Sequence, residues 1–273
     1  MPELPEVEVT RLGVNPHVEG KTVTELILRR DGLRWPFPAN LRELILHQTI
    51  LSTGRRGKYL LLHFHHGSLL IHLGMSGNLR IMPSTTPPQK HDHVDILLGE
   101  QMMRLTDPRR FGAVLWHDHA DGALEEHLLL RHLGVEPLSD QFSPELLFKQ
   151  TRQRNAAIKQ VLLAGDVVVG VGNIYASESL FRARIHPKTA ANRISLKRYQ
   201  ALAIAIREIL AQAISRGGSS LKDFVGADGK TGYFQQSYFV YDRAGEPCRV
   251  CQGTIRHITQ GQRSSFYCVN CQK

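Results

Sequence analysis

The residues best suited to chemistry sit near the two ends of the chain. At the start, in MPELPE, Pro2 is followed by Glu3. If the initiator methionine is removed, which a small second residue favours, the chain begins with a secondary amine. An α-amino group titrates at about 7.7–8.0, against about 10.4 for a lysine, so an appreciable fraction is unprotonated at neutral pH. Such an amine can attack a carbonyl-level carbon and form an iminium, with the Glu3 carboxyl beside it as acid or base. The competing reading is a plain helix start. Pro5 suits a first helical position, and Glu6 and Glu8 suit the positive end of a helix dipole. That reading leaves Pro2 and Glu3 without a role.

At the other end lie all four cysteines, Cys248, Cys251, Cys268 and Cys271, as the pairs CRVC and CVNC separated by 16 residues. This is the spacing of a four-thiolate structural zinc site, each pair supplying two corners of a tetrahedron. Two disulfide pairs or a redox dithiol are the alternatives, and both need an oxidising or thioredoxin-like context that the sequence does not display. Four protein ligands leave no open position for water, so the metal reads as structural. His257, between the pairs, has no partner at ligand spacing and reads as a surface histidine. The segment from Cys248 to Lys273 carries four basic residues (Arg249, Arg256, Arg263, Lys273) and no acidic one. It is either a phosphate-binding hairpin or a solvated basic face.

The whole chain has 273 residues, with 42% hydrophobic residues and a formal charge of +9. That length has room for about two domains of ~100–200 residues. The charge suggests a polyanionic partner. Nucleic acid leads over a membrane surface, because no basic amphipathic helix stands out. No run of 18 apolar residues and no charged-then-apolar leader occurs, so a soluble, unsecreted protein is expected. Short apolar runs at 21–28, 58–64, 68–73, 93–98 and 111–116 predict an all-β unit, a sandwich of two sheets. From about residue 136 the periodicity turns helical. Ser143 and Pro144 mark one helix start. Ser195 caps a helix that places Tyr199, Leu202, Ala203, Ile206, Ile209, Leu210 and Ala213 on one face before Gly217 and Gly218. A glycine-rich stretch and the cysteine unit follow. In VGVGNIYASE the glycines precede a helix start with Asn173 as cap, a place where free N–H groups can meet a phosphate.

Taken in order, MPELPEVE, GKYLLL, HLGMSG, KHDHVD, DPRRFG, VGVGNIYASE, EPCRVC and QRSSFYC resemble the formamidopyrimidine-DNA glycosylases. These are bacterial enzymes that excise 8-oxoguanine and ring-opened purines. The likeness runs from residue 2 to residue 273. It implies an α+β fold: an N-terminal catalytic β-sandwich domain (1–135), a helical DNA-binding domain with a helix–two-turn–helix element and a lesion-recognition loop (136–232), and a zinc hairpin (233–273).

The resemblance further implies a nucleophilic role for Pro2 at C1′ of the damaged nucleoside and an acid/base role for Glu3. Glu6 would orient the opened sugar, or be only a first-turn glutamate. Lys58 would transfer a proton during β-elimination; without the family it reads as a phosphate contact or a solvated charge. Arg263 matches an arginine on the lesion's phosphate that is linked to δ-elimination, and its permanent charge favours a clamp over an acid. Met75, Arg109 and Phe111 would fill the gap left by a flipped base. Outside the family, Met75 and Phe111 read as core residues, although the glycines flanking Met75 suggest an exposed turn. His91, Arg154 and Asn173 match phosphate contacts, and Lys222 would help bind the flipped base. The HDH of residues 91–93 also resembles part of a metal site, with no third ligand in view.

The expected activity is excision of oxidised purines from damaged double-stranded DNA followed by β,δ-elimination. The expected enzyme is a monomer with one structural Zn2+, located in the cytoplasm at the nucleoid. Two rivals remain. One is the endonuclease VIII-type branch, which takes oxidised pyrimidines and is disfavoured by ELPEVE, DPRRFG and the glycine-rich loop. The other is a non-catalytic zinc-ribbon DNA-binding protein, which leaves Pro2 and GKYLLL unexplained.

Overall fold

The computed structural model describes residues 2–218 and 238–273, so Lys222 and most of the glycine-rich stretch lie outside the described residues. The chain divides into two compact units. One comprises residues 1–131 with 216–235, the other 132–215 with 236–273.

The first unit opens with helix α1 (Leu4–Val18). Val7, Thr10, Val14 and Val18 are buried along it, a three-and-four spacing that sets one face against the core. Each fully buried valine contributes about 1.5–3 kcal/mol as an upper estimate. After β1 (Glu25–Leu28) and the short α2 (Leu41–Ile45) come β2 (Ser52–Arg56), β3 (Tyr59–His63), β4 (Gly67–His72), β5 (Asn78–Pro83), β6 (Asp92–Leu98), β7 (Gln101–Thr106) and β8 (Ala113–Asp118). They form two antiparallel sheets, ordered β1-β6-β7-β5 and β2-β3-β4-β8. Alternate residues of both sheets, Leu60 and Leu62, Leu69 and Ile71, Val94 and Ile96, Met103 and Leu105, join the valines of α1 in one core. This is the expected sandwich. Strands β2, β5 and β7 were not among the predicted runs, because STGRR, NLRIMP and QMMRLT are too polar or too irregular to show alternation.

The second unit holds α3 (Pro144–Thr151), α4 (Ile158–Ala164), α5 (Asn173–Arg182) and α6 (Leu196–Ser215). Ser143 caps α3 by accepting a hydrogen bond from the Leu146 N–H at 3.1 Å. All seven apolar residues read onto one face of α6 are buried. Helix α4 ends at Gly165 in the left-handed conformation (φ +76°), which only glycine adopts without cost. Residues 165–172 lead from α4 into α5, with Gly170 at φ +83° in this connection. The ribbon strands β9 (Ile255–Gln260) and β10 (Arg263–Cys268) pair antiparallel and share a small core with Phe181 and Val240. Among the described residues no helix is long and apolar enough to cross a membrane.

Candidate active site and nucleic-acid interface

The start of α1 is built around acidic side chains held out of water. Pro2, Glu3 and Glu6 are all buried. Glu3 is in extended conformation as the N-cap residue, and its N–H donates to Glu6 Oε2 at 2.9 Å. Gly218, at φ +78°, comes so close that an added Cβ would stand 3.4 Å from Glu6 Oε1. Glu6 therefore serves as a first-turn glutamate and also faces the start of the glycine-rich stretch.

Lys58 does not open a strand as its sequence suggests. With Gly57 it forms the two-residue turn between β2 and β3, where Arg56 pairs with Tyr59. Gly57 takes φ +57° there, and a residue with a side chain would resist that angle. The turn is braced to α1 by Arg55. Its Nε donates to Glu8 Oε2 at 2.9 Å, and its guanidinium donates to the Gly57 carbonyl at 2.9 Å. Burial pushes the Glu8 carboxyl up, but the Arg11 and Arg55 guanidiniums outweigh it and hold Glu8 below the usual range. One ion-paired carboxylate thus links the helix that begins beside Pro2 to the turn that carries Lys58.

Met75, Arg109, Phe111 and His91 are brought together in the same unit. Met75 sits half-buried in the turn after β4. Phe111 is 45% exposed, with the Arg109 guanidinium 5.1 Å from its ring centroid. Gly74, at φ +61°, lies against the backbone of Phe111 and Gly112, where a Cβ would come within 2.3 Å of the Phe111 carbonyl carbon. His72 Nδ1 accepts from the Gly74 N–H at 3.0 Å. Burial, then the nearby Lys58 and Arg34 cations, lower the His72 pKa to about 4, so the ring is the neutral acceptor this bond requires. Phe111 is thus no core residue, while Met75 is half-buried in its turn. In the HDH segment, Asp92 accepts from the Gln89 N–H at 2.8 Å, and His93 Nε2 lies 3.0 Å from the Asp107 carbonyl. Both are engaged with the loops flanking β6 and β7, and among the described residues the metal-type cluster is the cysteine set.

In the second unit the N-cap of α5 is Gly172, and Asn173 is the first helical residue. The expected asparagine cap is corrected: a glycine in extended conformation fills that place, and the Asn173 Oδ1 is buried without a hydrogen-bond partner. Arg154 is half-buried and paired with Asp166 at 2.8 Å. Arg263 is exposed at the start of β10, directly after the Gly261–Gln262 turn, whose residues both have positive φ (51° and 61°).

The four cysteine Sγ atoms lie within 4.8 Å of one another, and they are the sole such cluster among the described residues. Cys251 and Cys268 are 3.4 Å apart and Cys248 and Cys271 3.9 Å. A tetrahedral Zn–S distance of about 2.3 Å requires about 3.8 Å between sulfurs. Burial and the neighbouring thiols push Cys271 up to about 12, while the Gly253 N–H first, then the other thiols, pull Cys251 down to about 7. Such a thiol set needs a dication to ionise fully, and one structural zinc fits it. His257 is exposed, as expected.

Two buried residues that sequence reasoning missed mount the ribbon. Glu178 accepts from the N–H groups of Phe239, Val240 and Tyr241 at 2.8–2.9 Å. Lys159, fully buried, donates to the Ser264 carbonyl and to Ser265 Oγ, both at 2.8 Å, next to Arg263. A charged residue amid apolar neighbours in AAIKQVLL and NIYASESL was the available signal.

A two-sheet unit that begins at a buried proline–glutamate pair, with a helix–two-turn–helix and a zinc ribbon in a second unit, defines a zinc-containing DNA-repair glycosylase. Residues 1–114 match the formamidopyrimidine-DNA glycosylase N-terminal domain, 133–225 its H2TH domain, and 245–273 the zinc finger found in FPG and IleRS. The chain is 68% identical to the formamidopyrimidine-DNA glycosylase of Janthinobacterium sp. (strain Marseille) over the full length of both. It resembles the Lactococcus lactis Fpg in complex with abasic-site DNA (TM-score 0.91, 31% identity) and that enzyme's G226P mutant with Fapy-dG DNA (TM-score 0.93, 30% identity), each over 100% of both chains. The chain belongs to the formamidopyrimidine-DNA glycosylase family. Its activity is that of a base-excision N-glycosylase with abasic-site lyase activity. A non-catalytic zinc ribbon would account for residues 245–273 alone.

Proposed function

We propose that Pro2, freed by removal of Met1, attacks C1′ of an oxidised purine nucleoside flipped from damaged double-stranded DNA. The C1′–N9 bond breaks, its electron pair leaves with the base, and the base takes up a proton. Glu3 handles proton transfer during base loss and sugar ring opening, giving an iminium between Pro2 and C1′. Lys58 serves proton transfer as loss of the C2′ proton expels the 3′ phosphate, and a second elimination expels the 5′ phosphate. Arg263 clamps the lesion's phosphate. His91, Arg154 and Asn173 hold the backbone, with Arg154 leaving Asp166 to do so. Met75, Arg109 and Phe111 occupy the emptied stack, and Lys222 assists the flipped base. The zinc holds the ribbon's shape and stays outside the chemistry.

Each stretch of the chain then has its own role, with residues 1–135 for catalysis, 136–232 for binding the duplex and the lesion, and 233–273 for the zinc hairpin. The protein works as a monomer in the cytoplasm, at the nucleoid.

The observation that carries this reading is the buried Pro2–Glu3 pair at a helix that Arg55 ties to the Lys58 turn. The test is borohydride reduction during reaction with a duplex holding 8-oxoguanine opposite cytosine, followed by mapping of the cross-linked peptide. A cross-link at Pro2 is expected. A cross-link at Lys58, or none from processed protein that still binds the duplex, rejects the assignment.

A further inference from the structure

Met75 on one side, and Arg109 and Phe111 on the other, stand on separate loops, so a wedge made of all three needs something to set their spacing. Ser76, the next residue of the Met75 turn and 4% exposed, reaches across to the other loop. Its Oγ donates to Asp107 Oδ1 at 2.8 Å and accepts from the Arg109 N–H at 3.1 Å. Asp107 is fully buried, and its Oδ2 accepts from the Gly112 N–H at 2.8 Å. The Asp107 N–H donates to the His91 carbonyl at 3.0 Å. A carboxylate only accepts, so the single Ser76 proton is directed at Asp107 and a lone pair is left for Arg109. The same carboxylate closes the Asp107–Gly112 loop on itself. Inside that loop Arg110 is held at φ +59°, a conformation that a residue with a side chain adopts at a cost. With both groups buried, water cannot replace a lost partner.

We propose that Ser76, acting with Asp107, is the positioning residue that locks the Met75 turn and the Arg109–Phe111 loop into one body, so that they enter a duplex together. Ser76 touches neither the reacting atoms nor the DNA in this scheme. The inference rests on the wedge assignment of Met75, Arg109 and Phe111.

The test compares two single-turnover reactions of the full-length, zinc-loaded protein. One is excision of 8-oxoguanine opposite cytosine in a duplex. The other is β-elimination at an abasic site in a single-stranded oligonucleotide, where no stack has to be refilled. Ser76→Ala is expected to slow the duplex reaction about tenfold and to leave the single-strand reaction within about twofold. Ser76→Thr, which keeps the hydroxyl, is expected to restore the duplex rate. Equal slowing of both reactions, or an unchanged duplex reaction, overturns the inference. Should Ser76→Ala not fold, Asp107→Asn, which removes the acceptor for Gly112, is judged by the same split. Met75→Ala and Phe111→Ala separate the two ideas. If they leave duplex excision unchanged, the wedge assignment fails; if they slow it and Ser76→Ala does not, only the role of Ser76 fails.

Discussion

Pro2 lies out of water next to a carboxyl that is itself buried, and the nucleophilic role proposed for it predicts a specific loss. Pro2→Gly keeps a terminal amine but removes the ring that fixes its geometry. Borohydride-trapped complex is expected to fall about 10- to 100-fold, with duplex affinity changed less than about threefold. Comparable loss of both, measured by trapping and by fluorescence anisotropy, would assign Pro2 to binding or folding instead. His72 supplies a pH prediction at the same scale. Its folded pKa, about 4, lies below the ordinary 6.5, so the unfolded chain binds the proton first as pH falls. The stability from the His72–Gly74 bond is complete above about pH 6.5 and is lost as pH drops toward about 4. Melting temperatures read from pH 7.5 down to 4.5 are expected to fall more steeply for the native protein than for His72→Gln; parallel curves would sink this. The cysteines were legible because residue type and spacing alone mark their chemistry, whereas Pro2 and Glu3 stood out only once the rest of the chain was set beside them. Ser76, Asp107 and His72 were not legible, since a buried serine, aspartate or histidine in a loop looks like any other until its partners are known.

Between elements, the decisive joint is Arg55, which bonds α1 through Glu8 and the β2–β3 turn through the Gly57 carbonyl. Charge-assisted hydrogen bonds of this kind contribute about 1.5–3 kcal/mol each. Arg55→Ala is expected to lower thermal stability by a few kcal/mol and to slow β-elimination about tenfold by loosening Lys58 relative to α1. Arg55→Lys, a point charge without the fork, should recover the Glu8 pair but not the Gly57 bond. Strand cleavage on a preformed abasic site checks this, and a rate equal to that of the native protein would remove Arg55 from the positioning of Lys58. The sequence displayed this joint only as two arginines before GKYLLL, because β2 has no apolar alternation to announce it. Helices α3 and α6, by contrast, were legible from caps and periodicity, since those signals are local. The cap of α5 was misread because Gly172 and Asn173 stand side by side and both are favoured cap residues, so local sequence does not fix which of them opens the helix.

For the molecule as a whole, the division of the chain into two units has no local signature, since the β2-β3-β4-β8 and β1-β6-β7-β5 sheets pair strands far apart in sequence. The zinc ribbon was legible for the opposite reason: its cysteine spacing is a complete coordination set. That ribbon is fixed to its unit through Glu178 and Lys159, so the metal's influence extends beyond its four ligands. Cys268→Ser is expected to release zinc, to melt the second unit at lower temperature and to abolish tight duplex binding, because unpaired thiols cannot hold β10 in register behind Arg263. Full affinity in the zinc-free variant would end the ribbon's role. Salt dependence then separates loss of shape from loss of charge. Each phosphate contact adds about −0.9 to the slope of log affinity against log salt. Arg263→Ala, with zinc retained, should flatten that slope by about one and weaken all duplexes alike. Cys268→Ser should flatten it further, since the other basic residues of the ribbon (Arg249, Arg256 and Lys273) lose their placement together. An Arg263→Ala slope identical to the native one would place Arg263 off the phosphate and return the basic face of the ribbon to solvent.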